Sequence, residues 1–115
     1  MNANDRSPTP VAYKNEEFLD SEDARPLRIL AEYLEPMHAF QRERICDTIV
    51  FFGSARLGEL GPLGRYYAEA RELARQVTAW SLCLPAAPAR YVVCSGGGGG
   101  IMEAANRGAR DAGGR

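Results

Sequence analysis

Only one histidine, His38, stands in the chain. One imidazole supplies no His-based proton relay and too few ligands for a metal site. Cysteine is also scarce: Cys46, Cys83 and Cys94, an odd number at wide spacings. That pattern fits neither a disulfide framework nor a CxxC metal or redox motif. Cys46 and Cys94 flank or sit in expected strands, where a free thiol packs as a small hydrophobe. No apolar run approaches the roughly 20 residues that span a bilayer. The first residues, Met1-Asn2-Ala3-Asn4-Asp5-Arg6-Ser7-Pro8, hold no apolar core, so they do not read as a signal peptide. A cytoplasmic location is expected. Charge of one sign is missing too: 14 Lys plus Arg against 15 Asp plus Glu leave a formal net charge of -1. Nucleic-acid binding needs a basic face and a membrane-surface role needs a basic amphipathic segment, so neither partner is expected. No internal repeat is present.

What remains is an ordinary globular composition, 45% hydrophobic over 115 residues, enough for about one small domain. Residues 1–24 read as a flexible acidic tail. They carry Pro8, Pro10, Glu16, Glu17, Asp20, Glu22 and Asp23, with few large apolar groups to offset ordering entropy. A docking segment for a partner is the alternative. Residues 25–44 read as a helix, with Asp23 as a cap and Pro26 in the first turn. Leu27, Leu30, Leu34 and Met37 give it one apolar stripe. Pro36 predicts a kink or a division into two short helices. The stripe needs a packing partner, either the following domain or another subunit.

From Asp47 the pattern alternates. Asp47 to Gly53, with Thr48-Ile49-Val50-Phe51-Phe52 at its centre, predicts a strand buried on both faces of a parallel sheet. Pro62 to Trp80 predicts a helix, packing through Leu63, Tyr67, Ala70, Ala74 and Val77. Ser81 to Arg90, with Pro85 and Pro88, reads as a loop. Tyr91 to Cys94 is a second buried strand, and Ile101 to Asp111 a helix packing through Ile101, Ala104, Ala105 and Ala109, ended by Gly113 and Gly114. Strands alternating with helices imply an α/β fold with a parallel sheet. About two strands and three helices form an incomplete Rossmann-like sheet with flanking helices, and the sequence stops where a third strand is expected.

Five glycines, Gly96, Gly97, Gly98, Gly99 and Gly100, join the second strand to the last helix. The first turn of a helix has unpartnered N–H groups and the positive end of the helix dipole. Glycine lets phosphate oxygens approach that backbone. The turn is no P-loop, since no Gly-Lys-Ser/Thr follows, and the dinucleotide fingerprint fails because Ile101 stands at its last glycine position. Phosphate or a mononucleotide therefore fits better than ATP or NAD. Gly53-Ser54-Ala55-Arg56 ends the first strand at the same edge of the sheet, where open α/β folds bind ligands. Arg56 is a candidate phosphate partner and Ser54 a donor to phosphate or ribose, with a solvated surface loop as the alternative. Glu103, in the first turn of the last helix, meets the helix dipole or touches a ribose hydroxyl.

Val50-Phe51-Phe52-Gly53-Ser54-Ala55-Arg56 and Cys94-Ser95-Gly96-Gly97-Gly98-Gly99-Gly100-Ile101-Met102-Glu103-Ala104-Ala105-Asn106-Arg107-Gly108-Ala109 together resemble the LOG ("Lonely guy") family of Rossmann-like proteins. The resemblance runs from about Arg25 onward and leaves residues 1–24 aside. It implies a cytosolic phosphoribohydrolase, which cleaves the N-glycosidic bond of a nucleoside 5′-monophosphate such as AMP. The products are free base and ribose 5-phosphate, with cytokinins among the bases for the better-known members. It implies no metal or redox cofactor, and a homo-oligomer for the full-length protein. Residues 45–115 then read as the N-terminal part of a nucleotide-binding domain. Gly53, Ser54, Arg56, Gly96 to Gly100, Ile101, Met102 and Glu103 are its candidate phosphate and nucleotide contacts. Gly99 stands where the family often has proline. The family's Pro-Gly-Gly-x-Gly-Thr-x-x-Glu segment, which carries the catalytic Glu, is absent from these residues, as is the Arg-Lys segment before it. The expectation is an N-terminal fragment with no catalytic residue of its own, inactive alone. A non-catalytic nucleotide-binding or assembly module is the alternative, and a piece too small to fold is a third.

Overall fold

The computed structural model describes residues 8–115. The expectations for residues 1–7 lie outside that range. The chain divides into two units, Met1–Ala39 and Phe40–Arg115.

The first unit is helical. A 3-10 turn over Ala12–Lys14 leads into the short helix α1 (Glu16–Leu19), capped by the Asn15 side chain, which accepts from the Phe18 N–H at 3.3 Å. A second 3-10 turn, Glu22–Ala24, runs straight into α2 (Arg25–Arg42). Asp23 therefore sits inside that turn rather than at a cap. Arg28 ties the approach to the helix by donating to the carbonyls of Leu19 (2.6 Å) and Ser21 (2.7 Å). Among the described residues of the segment read as a tail, Ala24 alone is buried. Helix α2 continues through Pro36, so two short helices are not formed. Its stripe of Leu27, Leu30, Leu34 and Met37 is 42% to 51% exposed.

The second unit begins with the last turn of α2. The Ile45 N–H donates to the Phe40 carbonyl and the Arg44 N–H to that of Gln41, a Schellman closure with Arg44 at positive φ (54°) where glycine is usual. Strand β1 (Thr48–Phe51) and strand β2 (Val92–Ser95) form a two-stranded parallel sheet, Thr48 opposite Val92 and Phe51 opposite Ser95. Asp47 fixes their start. Its Oδ1 accepts from the Tyr91 N–H at 2.7 Å, and its Oδ2 from the Arg90 guanidinium at 3.0 and 3.2 Å.

Helices α3 (Gly64–Leu82) and α4 (Ile101–Asp111) pack on each other and on β2. Small residues make the close approach possible. A Cβ on Gly108 would strike the Arg71 carbonyl and come within 3.0 Å of the Ala74 Cβ. Ala74, Val93, Ala105 and Ala109 form the core, with Phe51 and Val77 against it. Tyr67 and Ala104 are also buried.

The protein is thus mixed α/β, an incomplete Rossmann-like arrangement of two parallel strands with flanking helices. One expectation changes. Successive strand residues face opposite sides, and only the side bearing Phe51 and Val93 carries the core. Val50 and Phe52 remain 63% and 95% exposed, so β1 is not buried on both faces. Cys46, expected as a packed hydrophobe, is exposed because it precedes the sheet, whereas Cys94 is half-buried in β2. Among the described residues no helix is long and apolar enough to cross a membrane. None of their His, Cys, Asp and Glu residues cluster in groups of three or more able to hold a metal ion.

Candidate phosphate site at the glycine turn

Both strands end on the same edge, and the two turns that follow them touch. The Ile101 N–H donates to the Ser54 carbonyl at 3.0 Å. Contact is backbone on backbone. Gly100 has φ 64° and ψ -127°, and a Cβ there would overlap the Ser54 carbonyl and sit 3.0 Å from Ala55. Positive φ and the lack of room both require glycine. Gly53 answers from the other side: a Cβ on it would lie 2.7 Å from the Ile101 side chain. Gly97, at φ 76°, has open space around it.

The amides at this edge divide into two groups. The Gly97 N–H donates to Ser95 Oγ at 3.2 Å, the Ile101 N–H to Ser54 and the Ala104 N–H to Gly100. Among the described residues, no backbone acceptor takes the N–H of Gly98, Gly99, Gly100, Met102 or Glu103. These donors lie at the start of α4, where the helix dipole is positive, an arrangement suited to an anion's oxygens. The Met102 side chain folds under the loop, its Cε 2.6 Å from where a Gly98 Cβ would be, and so acts as packing.

Two expected contacts have partners within the protein. Ser54 Oγ accepts from the Arg56 N–H at 3.1 Å, closing a local hydroxyl turn. The Arg56 side chain is exposed. Glu103 Oε1 accepts from the Tyr67 hydroxyl at 2.8 Å, which anchors the first turn of α4 to buried Tyr67 of α3.

A cleft of about 390 Å³ opens beside the loop, lined by Gly97, Gly98, Gly99 and, from α4, Glu103, Asn106, Arg107 and Arg110. Asn106 and the two arginines escaped the sequence reading, as did the buried Tyr67 hydroxyl. Helical spacing holds the missed signal: Asn106, Arg107 and Arg110 fall three, four and seven residues after Glu103, on one face. Ser95 Oγ donates to Asn106 Oδ1 at 3.0 Å, joining the end of β2 to that face. Arg107 Nη1 lies 3.0 Å from the Tyr67 oxygen, 3.2 Å from Glu59 Oε2 and 3.6 Å from Glu103 Oε1. Hydrogen bonding to Tyr67, then the Glu59 carboxylate, raises the Arg107 pKa above its ordinary value. A separate cavity of about 130 Å³ lies at the other end of β2, among Leu82, Leu84, Pro85, Ala89 and Val92.

The fold and the edge define an α/β protein with a glycine-led helix start. Comparisons with protein-family models and with curated proteins find no match to this chain.

Proposed function

We propose that this edge binds the phosphate of a nucleoside 5′-monophosphate such as AMP, as the N-terminal, nucleotide-binding part of a LOG-type phosphoribohydrolase. The observation that carries the reading is the Ile101–Ser54 backbone bond, which sets the glycine turn against the first turn with five unengaged amides beside it. Phosphate oxygens accept from the amides of Gly98 to Gly100, Met102 and Glu103. Arg56 adds a charge-assisted bond from the neighbouring turn. Gly53 leaves room for the Ile101 side chain and Gly96 lies beside Met102, and Ile101 and Met102 pack the loop from below.

Hydrolysis of an N-glycosidic bond needs a carboxylate to orient water and to stabilise an oxocarbenium-like sugar. Glu103 is held by Tyr67, and the family's Pro-Gly-Gly-x-Gly-Thr-x-x-Glu segment is not in these residues. Binding without turnover is the expected behaviour. The engagement of Glu103 by Tyr67 favours a second reading, a non-catalytic nucleotide-binding or assembly module. The exposed Val50 and Phe52 support a homo-oligomer. Calorimetry with AMP, paired with an assay for released adenine, tests the proposal. Binding with no adenine supports it. No heat at millimolar AMP from a folded sample removes nucleotide binding, and adenine release refutes the inactivity.

A further inference from the structure

We propose that the cavity at the start of β2 binds a small uncharged aromatic molecule carrying one hydroxyl, of phenol's size, with Thr78 as its hydrogen-bond partner. The site lies at the opposite end of the strand from the glycine turn, and the inference stands without the phosphate reading.

Thr78 follows Ala74 by one turn on the buried face of α3 and is only 6% exposed. A threonine inside a helix ordinarily turns its hydroxyl to solvent or to the carbonyl four residues back. Thr78 does neither. Among the described residues, its Oγ1 is the one buried side-chain polar atom without a hydrogen-bond partner. Leaving such a group unpaired is costly, and native proteins seldom do so without a reason. Thr78 lines the cavity of about 130 Å³. Other polar side chains of the same wall are already engaged. Ser81 Oγ donates to the Arg90 carbonyl at 2.6 Å, Arg90 donates to Asp47 and to the Tyr91 hydroxyl, and Arg115 donates to the Glu43 carbonyl at 2.6 Å. Thr78 is thus the position at which a ligand's polar atom completes the wall.

Size and wall chemistry set the rest of the ligand. An apolar cavity of about 150 Å³ holds benzene, whereas one water needs only about 10–15 Å³. The space beside Thr78 therefore takes a single ring. Leu84, Val92, Val93 and Ala109 supply apolar wall, and Tyr91 an aromatic one, braced by Trp80 at 5.0 Å between ring centroids. Arg90 is already paired with Asp47, and a charge buried among these walls loses its hydration, so the ligand is neutral. A helical threonine has two χ1 rotamers open to it, so its hydroxyl can turn to the ligand without backbone movement. The wall residues Leu82 and Pro85 are exposed, so the cavity is reached from solvent.

The test titrates phenol, toluene and benzoate into the wild type and Thr78→Val, read by the backbone amide spectrum, with thermal melts of both proteins. In the wild type phenol binds about 10-fold more tightly than toluene, the contribution of one hydrogen bond. Its shifts centre on Thr78, Val92, Val93 and Ala109, and benzoate binds most weakly. Thr78→Val puts a methyl group in place of the hydroxyl. The order then reverses, with toluene tighter, and the variant melts higher because an unpaired buried group is gone. An equal preference for phenol in both proteins, or shifts centred elsewhere, overturns the proposal. So does a lack of phenol binding at millimolar concentration, which would leave water as the only occupant. A lower Tm in Thr78→Val would mean that the hydroxyl is already satisfied within the protein, and benzoate binding tighter than phenol would contradict the neutral class. Each of these results leaves the AMP reading of the glycine turn untouched.

Discussion

The Ile101 amide donates to the Ser54 carbonyl at 3.0 Å, so one hydrogen bond joins the turn after β1 to the first residue of α4. Gly100 makes the contact possible. Gly100→Ala places a Cβ against the Ser54 carbonyl at a positive φ. A left-handed non-glycine residue alone costs about 1–2 kcal/mol, and the steric overlap adds to it. We expect a loss of about 2 kcal/mol or more by chemical denaturation, with loss of AMP binding. A variant as stable as the wild type would show that the two turns do not meet as described.

Gly108 tests the helix crossing by setting two effects against each other. Alanine is favoured over glycine within a helix by about 1 kcal/mol. Its Cβ, however, would strike the Arg71 carbonyl and crowd Ala74, and overpacking costs about 1–3 kcal/mol. The backbone there cannot yield as a flexible side chain does, so we expect Gly108→Ala to destabilise. Gly58→Ala, with open space around it, is expected to change stability by less than about 0.5 kcal/mol. Thermal melts of the two variants separate crowding from propensity.

The helix and strand order was legible because periodicity reports burial. Ile101–Asp111 alternates small apolar residues with polar ones, and the helix occupies the expected range. The burial of Tyr67 and Ala74 follows from the same spacing. The second face of β1 was not legible. A run such as Thr48–Phe52 records what a strand can bury, and not which element covers it, and Val50 and Phe52 stand exposed. In the site, glycines before a helix announced the amide cluster. Arg107 and Glu59 lie 48 residues apart, and no local pattern signals a pairing that the packing of α3 on α4 creates. The bond from the Arg56 N–H to the Ser54 hydroxyl has no signal in the sequence, because a hydroxyl's turn partner depends on the local backbone.

Arg44 offers a stabilising change. It occupies the left-handed position of the Schellman closure at φ 54°, where glycine carries no Cβ penalty. Arg44→Gly is expected to raise stability by about 0.5–1 kcal/mol, read as a higher Tm. A lower Tm would mean that the arginine side chain contributes more than the backbone strain costs.

Acid is expected to weaken the fold through three carboxyls. Asp47 is held below its ordinary pKa first by the Tyr91 N–H and also by Arg90. Asp111 is lowered by Arg71. Glu72 is lowered to about 2 by Arg75 and Gln76. Each ionises more readily folded than unfolded, so its contribution is complete above its unfolded pKa and is lost as pH falls through the folded one. Tm should therefore fall from pH 5 toward pH 2. The fall should be smaller in Asp47→Asn, which removes one of the three contributions, and in high salt, which screens the solvent-accessible ion pairs. A Tm that is flat or rising over that range would contradict the assignment.

The most direct measurement is the backbone amide spectrum of the folded protein titrated with AMP. Saturable shifts are expected to centre on Gly98, Gly99, Gly100, Met102 and Glu103, to be reproduced by inorganic phosphate and absent with adenosine. Saturable binding that leaves those five amides unmoved, with shifts gathered around Leu82, Ala89 and Val92 instead, would contradict the account.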